Sequence, residues 1–308
     1  MTSAAGAIEA RHDTPERRIF VALVLTLATM VIAIAGGLLS HSLALLSDAG
    51  HMLSDAGALV LALIAQRVAE RPHTHERTYG SHRAETVAAF VNAIFLGVVS
   101  MWVIVEALDR WRHPPEVRGA WMLAVAAVSL GMNLIAARVL SAGHSHNDNT
   151  RAALAHVLSD VAGSAAAMAA AFFVLAFGWR RADPLISLLL ALLILWSAWK
   201  LVARTADVLM EGTPAHLEHA ELERTIRDTP GVREFHDLHA WTIAEGFDVV
   251  TVHVVLDGSR HGTEVAREVS DRIRERHRID HVTVQPEAPP AEPVSFQPIS
   301  QLVRRRDG

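Results

Sequence analysis

The chain has 308 residues, of which 51% are hydrophobic and 20% charged, and its mean hydropathy is +0.26. That is too apolar for an ordinary soluble domain and too charged for a chain wholly embedded in lipid, while a net charge of −5 excludes a broad nucleic-acid-binding surface. Cysteine is absent, which removes disulfides and thiolate metal ligands together; 18 histidines supply the commonest metal-binding side chain instead.

Residues 1–16 read as a cytoplasmic N-terminal segment. Arg11, Arg17 and Arg18 then precede an apolar run longer than a secretory h-region, with no small-residue cleavage site after it, so it reads as a retained first span. Six spans are predicted, over residues 19–39, 43–68, 85–109, 121–140, 152–177 and 184–202. Each is near the ~20 residues needed to cross the hydrocarbon core. They form an all-α transmembrane domain over residues 17–208, with Trp111, Trp121, Trp179, Trp196 and Trp199 near predicted span ends, where amphipathic rings favour the interface. Asp183-Pro184 is a helix start, since proline in the first turn loses no needed hydrogen bond. With the N-terminus inside, one side collects Arg11, Arg17, Arg18, Arg67, Arg71, Arg77, Arg83, Arg138, Arg151, Lys200 and Arg204. The other collects Arg110, Arg112, Arg118, Arg180 and Arg181. Eleven against five places both termini in the cytoplasm.

After "LMEGTP" at 209–214 the pattern changes. Residues 215–228 form a charged amphipathic helix ended by "PG"; 234–243 and 247–256 alternate as strands about a Glu245-Gly246 turn; 263–276 is a second helix and "HVTVQ" at 281–285 a third strand. This predicts a small cytoplasmic α+β domain of order αββαβ, ferredoxin-like, over residues 209–287. The proline-containing tail from 288 to 308 reads as disordered.

Two stretches bear the chemistry. "HMLSDAG" at 51–57 and "HVLSDVAG" at 156–163 each carry His and Asp four positions apart within an apolar span. Residues four apart on a helix differ by about 40° of rotation, so His51 and Asp55 share a face, as do His156 and Asp160. Asp48 joins the first face. A charged Asp at mid-membrane costs at least ~2.5–3.5 kcal/mol, so these groups face inward toward one another or toward a neutralising cation. Two imidazoles with two carboxylates suit four-coordinate Zn²⁺; Mg²⁺ and Ca²⁺ prefer more oxygens, and Cu(I) prefers sulfur. Cd²⁺ and Co²⁺ are further candidate substrates. Small neighbours, Ala49, Gly50, Gly57, Gly163 and Ser164, allow close helix approach. Asp48 reads either as support behind the ligands or as part of the access path.

"LLSDAGHMLSDAGAL" in the second span, "RPHTHERTYGSHRAE" after it and "RAALAHVLSDVAGS" in the fifth resemble the cation diffusion facilitator family, and most closely its bacterial zinc-exporting branch. The resemblance runs from about residue 17 to 287. It implies an integral protein of the bacterial inner membrane, a homodimer surrounded by membrane lipid, and exchange of cytoplasmic Zn²⁺ for protons by alternating access. It maps the transport site onto His51, Asp55, His156 and Asp160. It also implies a zinc-binding cytoplasmic domain, a regulatory site whose ligands fall on His236, His253 and Glu287. His281 is a further ligand there, although it is offset from the family position and Asp280 competes for it. The family's additional loop site falls on Thr74, Arg77 and Ser81, beside His73, His75 and His82, and so is expected to be absent or altered. The short loop carrying His144 and His146 reads as a plain polar connection or as a metal-delivery segment.

Two other classes remain. A membrane metalloenzyme would want an open three-ligand zinc site with a general base, and no H-E-x-x-H helix is present. A metal-sensing receptor would make the cytoplasmic domain an output and would carry no flux.

Overall fold

The computed structural model describes residues 15–72, 74–141, 148–244, 246–279 and 281–288. The chain divides into two compact units, Met1–Ala206 and Asp207–Gly308. The expected loop residues His73, His144 and His146, the competing Asp280, and the segments 1–14 and 289–308 lie outside the described residues.

The first unit is built from helices α1 (Pro15–Ser40), α2 (Leu43–Ala69), α3 (Arg83–Arg112), α4 (Gly119–Ser141), α5 (Asp148–Phe177) and α6 (Ala182–Leu209). All six are long and apolar enough to cross a membrane. Their large apolar side chains point outward: Leu59, Val60, Leu63 and Ile64 on α2 and Leu189, Leu192 and Leu193 on α6 are exposed. In hydrocarbon that arrangement costs nothing, and the interior can be given to small residues that let backbones approach. Ala44, Ala126, Ala167, Ala170 and Ala171 are buried together with Leu45 and Met122 where α2, α4 and α5 meet. Gly36 on α1 packs so close to α4 that an added Cβ would sit 2.5 Å from the Val125 methyl carbons.

Every observed helix extends beyond its predicted span at one end or both. The apolar window marks the stretch suited to hydrocarbon, whereas backbone hydrogen bonding carries the helix on into charged residues such as Arg83 and Arg112.

The second unit is α7 (His219–Arg227), β1 (Val232–Ala244), β2 (Phe247–Leu256), α8 (Gly262–His277) and β3 (His281–Glu287). Its three-stranded sheet has the order β1-β2-β3, with β1 and β2 antiparallel and β2 and β3 parallel. The element order is the expected αββαβ. The first helix starts four residues later than its charge pattern suggested, because residues 215–218 are spent in a turn after Pro214. Strand β3 runs two residues further, to Glu287.

Strand alternation decides what faces the helices. Val250, Val252 and Val254 of β2 are buried against Leu222 and Ile226 of α7 and Val265, Val269 and Ile273 of α8. Thr251, His253 and Val255 therefore face the opposite side of the sheet.

Candidate metal centres

On α2 the His51 Nε2 lies 3.5 Å from Asp55 Oδ2. From α5, His156 Nε2 lies 3.5 Å from that same oxygen and 3.9 Å from Asp160 Oδ2. The two imidazole rings lie 6.3 Å apart between centroids, tilted by 58°. Donor atoms from His51, Asp55 and Asp160 all fall within 4.8 Å of one another, a spacing that one cation can bridge. His156 borders this trio through its contacts with Asp55 and Asp160. The two helical faces read from the sequence thus meet.

Hydrogen bonding in this group is incomplete. Asp160 has no exposed surface, and neither of its carboxylate oxygens accepts a hydrogen bond. Asp55 Oδ2 and His51 Nδ1 are likewise without hydrogen-bond partners. Buried polar groups are normally paired, so a cluster of orphans of two kinds, anionic oxygens and imidazole nitrogens, is suited to a positively charged guest.

Asp48 stands one turn before His51 and is buried. Ser164 Oγ donates to Asp48 Oδ2 at 3.1 Å, and Asn133 Nδ2 donates to Ser164 Oγ at 3.1 Å. This chain joins α2, α5 and α4 behind the four ligand candidates. Gly163 makes it possible: a Cβ there would lie 2.2 Å from Asp48 Oδ1. Sequence inspection singled out Asp48, Gly163 and Ser164 but missed Asn133, whose only signal is an amide within an otherwise apolar span.

In the loop after α2, Thr74 and Arg77 form an isolated β-bridge, and Arg77 Nη1 donates to Ser81 Oγ at 3.0 Å. The positions expected to have lost a metal site are tied to one another by hydrogen bonds.

The second unit holds another cluster. His236 and His253 are directly paired across β1 and β2, and Gln285 pairs with His253 on β3, which puts Glu287 one pleat further on the same face. Glu287 accepts from both rings, Oε2 at 3.0 Å from His236 Nε2 and Oε1 at 2.9 Å from His253 Nδ1. Hydrogen bonding from His236, foremost, and then from His253 and Gln285 holds the Glu287 carboxyl below its ordinary value. The three residues have ligand-compatible spacing.

His281 does not join them. It occupies the right face of β3 but the far end of the strand, beside the Phe247 ring at 6.1 Å between centroids, and pairs with Val249. Six residue steps along the strand separate it from Glu287, roughly 20 Å at 3.3 Å per step. Asp237 is the group the sequence did not reveal. A break in the β1 register between His236 and His239 gives it a φ of 52° and turns its carboxylate between His239 Nε2, at 3.0 Å, and His253 Nε2, at 3.7 Å.

Comparison with known proteins shows the family of the chain. Residues 19–210 match the cation efflux transmembrane domain, and residues 214–289 match the cytoplasmic domain of cation efflux proteins. The chain is 40% identical over 285 residues to the metal cation efflux system protein CzcD of Cupriavidus metallidurans, covering 91% of this chain and 90% of that one. It is 40% identical over 281 residues to the zinc transporter ZitB of Escherichia coli, with 91% and 90% covered. It is 38% identical over 274 residues to a cadmium, cobalt and zinc/H(+)-K(+) antiporter of Bacillus subtilis, with 87% and 88% covered. A solved structure of the metal-bound C-terminal domain of the CzcD transporter is 42% identical, covers 23% of this chain and 99% of its own, and has a TM-score of 0.22.

Proposed function

The chain belongs to the cation efflux, or cation diffusion facilitator, family, and we propose that it exports cytoplasmic Zn²⁺ in exchange for protons, using His51, Asp55, His156 and Asp160 as the transport site. It is an integral membrane transporter of metal cations, not an enzyme. Zinc as cargo is supported by the donor set, two imidazoles and two carboxylates with no sulfur, and by the relatives named for zinc. Cd²⁺ and Co²⁺ are further candidate cargoes, as the name of the Bacillus relative suggests.

The observation that carries the reading is the meeting of two matched His/Asp pairs, from α2 and α5, around donor atoms that lack hydrogen-bond partners. Zn²⁺ binds such a set when the imidazoles are neutral and the carboxylates ionised, so each binding event excludes protons from the same atoms. Opening toward the side of higher proton activity then favours release. Exchange follows from competition at one site, and no separate proton channel is required.

Both termini are cytoplasmic in this scheme, the membrane is the bacterial inner membrane, and the working unit is a homodimer, as the match to the cytoplasmic domain supports. His236, His253 and Glu287 hold a regulatory zinc in the second unit.

The test is Zn²⁺ flux into proteoliposomes across an imposed pH gradient. Removing a partner that only supports a ligand costs 10–100-fold, so losing a ligand in Asp160→Ala is expected to lower proton-driven flux by at least about 100-fold. Undiminished uphill transport by Asp160→Ala would overturn the site.

A further inference from the structure

Asp183 lies in the first turn of α6 and is fully buried. An acidic residue there commonly serves its own helix; this one serves another. Its Oδ1 accepts from Ser42 Oγ at 2.6 Å and from the Ala44 amide at 3.1 Å, and its Oδ2 accepts from the Leu43 amide at 2.8 Å.

A helix begins with four amide donors that have no partner within it. In α2 these are on the cap residue Ser42 and on Leu43, Ala44 and Leu45. Ser42 N–H is taken by the Gly37 carbonyl and Leu45 N–H by Ser42 Oγ. The other two go to Asp183, so a residue about 140 positions away completes the start of α2. The positive ends of two helices converge on one carboxylate, a placement that both helix dipoles favour.

The surrounding corner is held as well. His41, the residue turning between α1 and α2, has a φ of 59°, and its carbonyl accepts from Arg110 Nη1 of α3 at 2.7 Å. Arg110 is itself oriented by Glu106 at 2.8 Å. Leu43 packs without exposed surface among Val103, Ala107 and Ala191 of α3 and α6.

We propose that Asp183 is a positioning residue for transport: by capping α2 from α6 it sets the axial register and rotation at which His51 and Asp55 meet α5. Sliding α2 by one residue shifts it about 1.5 Å, enough to break bonds of this length. His51 and Asp55 follow about 12 and 18 Å along the same rigid helix, so an error at the cap reaches the metal ligands undiminished. Asp183 touches no ligand and acts only through α2. The inference rests on the four-residue transport site proposed above.

The experiment uses the full-length chain in lipid, with two readouts. Because the sequence has no cysteine, Leu59→Cys on α2 and Leu193→Cys on α6, both at exposed positions, accept spin labels specifically. Labelled wild type should give one narrow distance distribution, and Asp183→Ala a shifted or broadened one. Its KM for Zn²⁺ should rise by about 10-fold or more, as expected when a group supporting metal ligands is lost. Asp183→Asn, which turns an amide N–H toward the Leu43 donor, and Ser42→Ala, which removes one of the three bonds, should fall between; they decide the matter if Asp183→Ala does not insert. Unchanged distances with unchanged KM in these variants would overturn the proposal and leave a purely stabilising cap. A shifted distance in a protein whose wild type carries no Zn²⁺ would support the register role while sinking the zinc reading.

Discussion

Asp160 and Asp48 are both buried aspartates within four residues of a histidine ligand candidate, yet their surroundings differ in kind. Asp48 has a donor in Ser164, itself held by Asn133, whereas Asp160 has none. An unpaired buried carboxylate is costly, so Asp160 needs a cation in a way Asp48 does not. The supporting chain has a weak point at Gly163. Its replacement by alanine would drive a methyl into the Asp48 carboxylate and push α2 from α5. Gly163→Ala is expected to lower Zn²⁺ flux by about 10-fold, in the range seen when support behind metal ligands is lost, with the protein still inserted. Initial rates in proteoliposomes, normalised to inserted protein, check this.

At the scale of elements, the second unit shows how a sheet makes a site from residues distant in sequence. Burial of Val250, Val252 and Val254 leaves His253 on the open face, and pairing brings His236 and Glu287 beside it. Glu287 has a folded value held down mainly by its hydrogen bond from His236. A depressed carboxyl contributes stability that is fully present above its ordinary value of 4.5 and is lost as pH falls through the lower folded value. The melting temperatures of wild type and Glu287→Gln should therefore differ near pH 6 and converge below pH 4.5. Zinc bound in the second unit should raise the wild-type transition by about 2.7 kcal/mol at 100 times that site's Kd, and Glu287→Gln, which keeps the transport site, should gain less from zinc than wild type. Thermal scans of the full chain with zinc and with chelator measure both effects.

Across the whole molecule, the proposed topology puts the loop after α2 on the same side of the membrane as the N-terminus, because two spans separate them. The excess of Arg and Lys assigned to that side predicts that it is the cytoplasmic one. Thr78, in the α2–α3 loop, and Glu116, in the α3–α4 loop, are exposed and lie on opposite sides under this topology. In the cysteine-free chain, Thr78→Cys should react with an impermeant maleimide only in inside-out vesicles, and Glu116→Cys only in right-side-out ones. The reverse pattern would invert the direction of export.

The amino-acid sequence by itself determined the six apolar spans, the αββαβ order and the four transmembrane ligand candidates. These are set by local periodicity: length of apolar run, alternation along a strand, and the four-residue spacing that puts His and Asp on one helical face. Tertiary structure decided what periodicity does not encode. His281 and Glu287 have the same strand parity, and only the pairing of β3 with β2 separates the one at the far end from the one beside His253. Asp237 enters the cytoplasmic cluster through a register break in β1 that no residue type announces. Asn133 and Asp183 read in the sequence as a polar interruption and a helix start; they acquire their roles from helices that lie about 30 and 140 residues away along the chain but side by side in space. A hydrogen bond requires atoms within about 3 Å, and for partners so far apart in sequence that proximity is a property of packing alone.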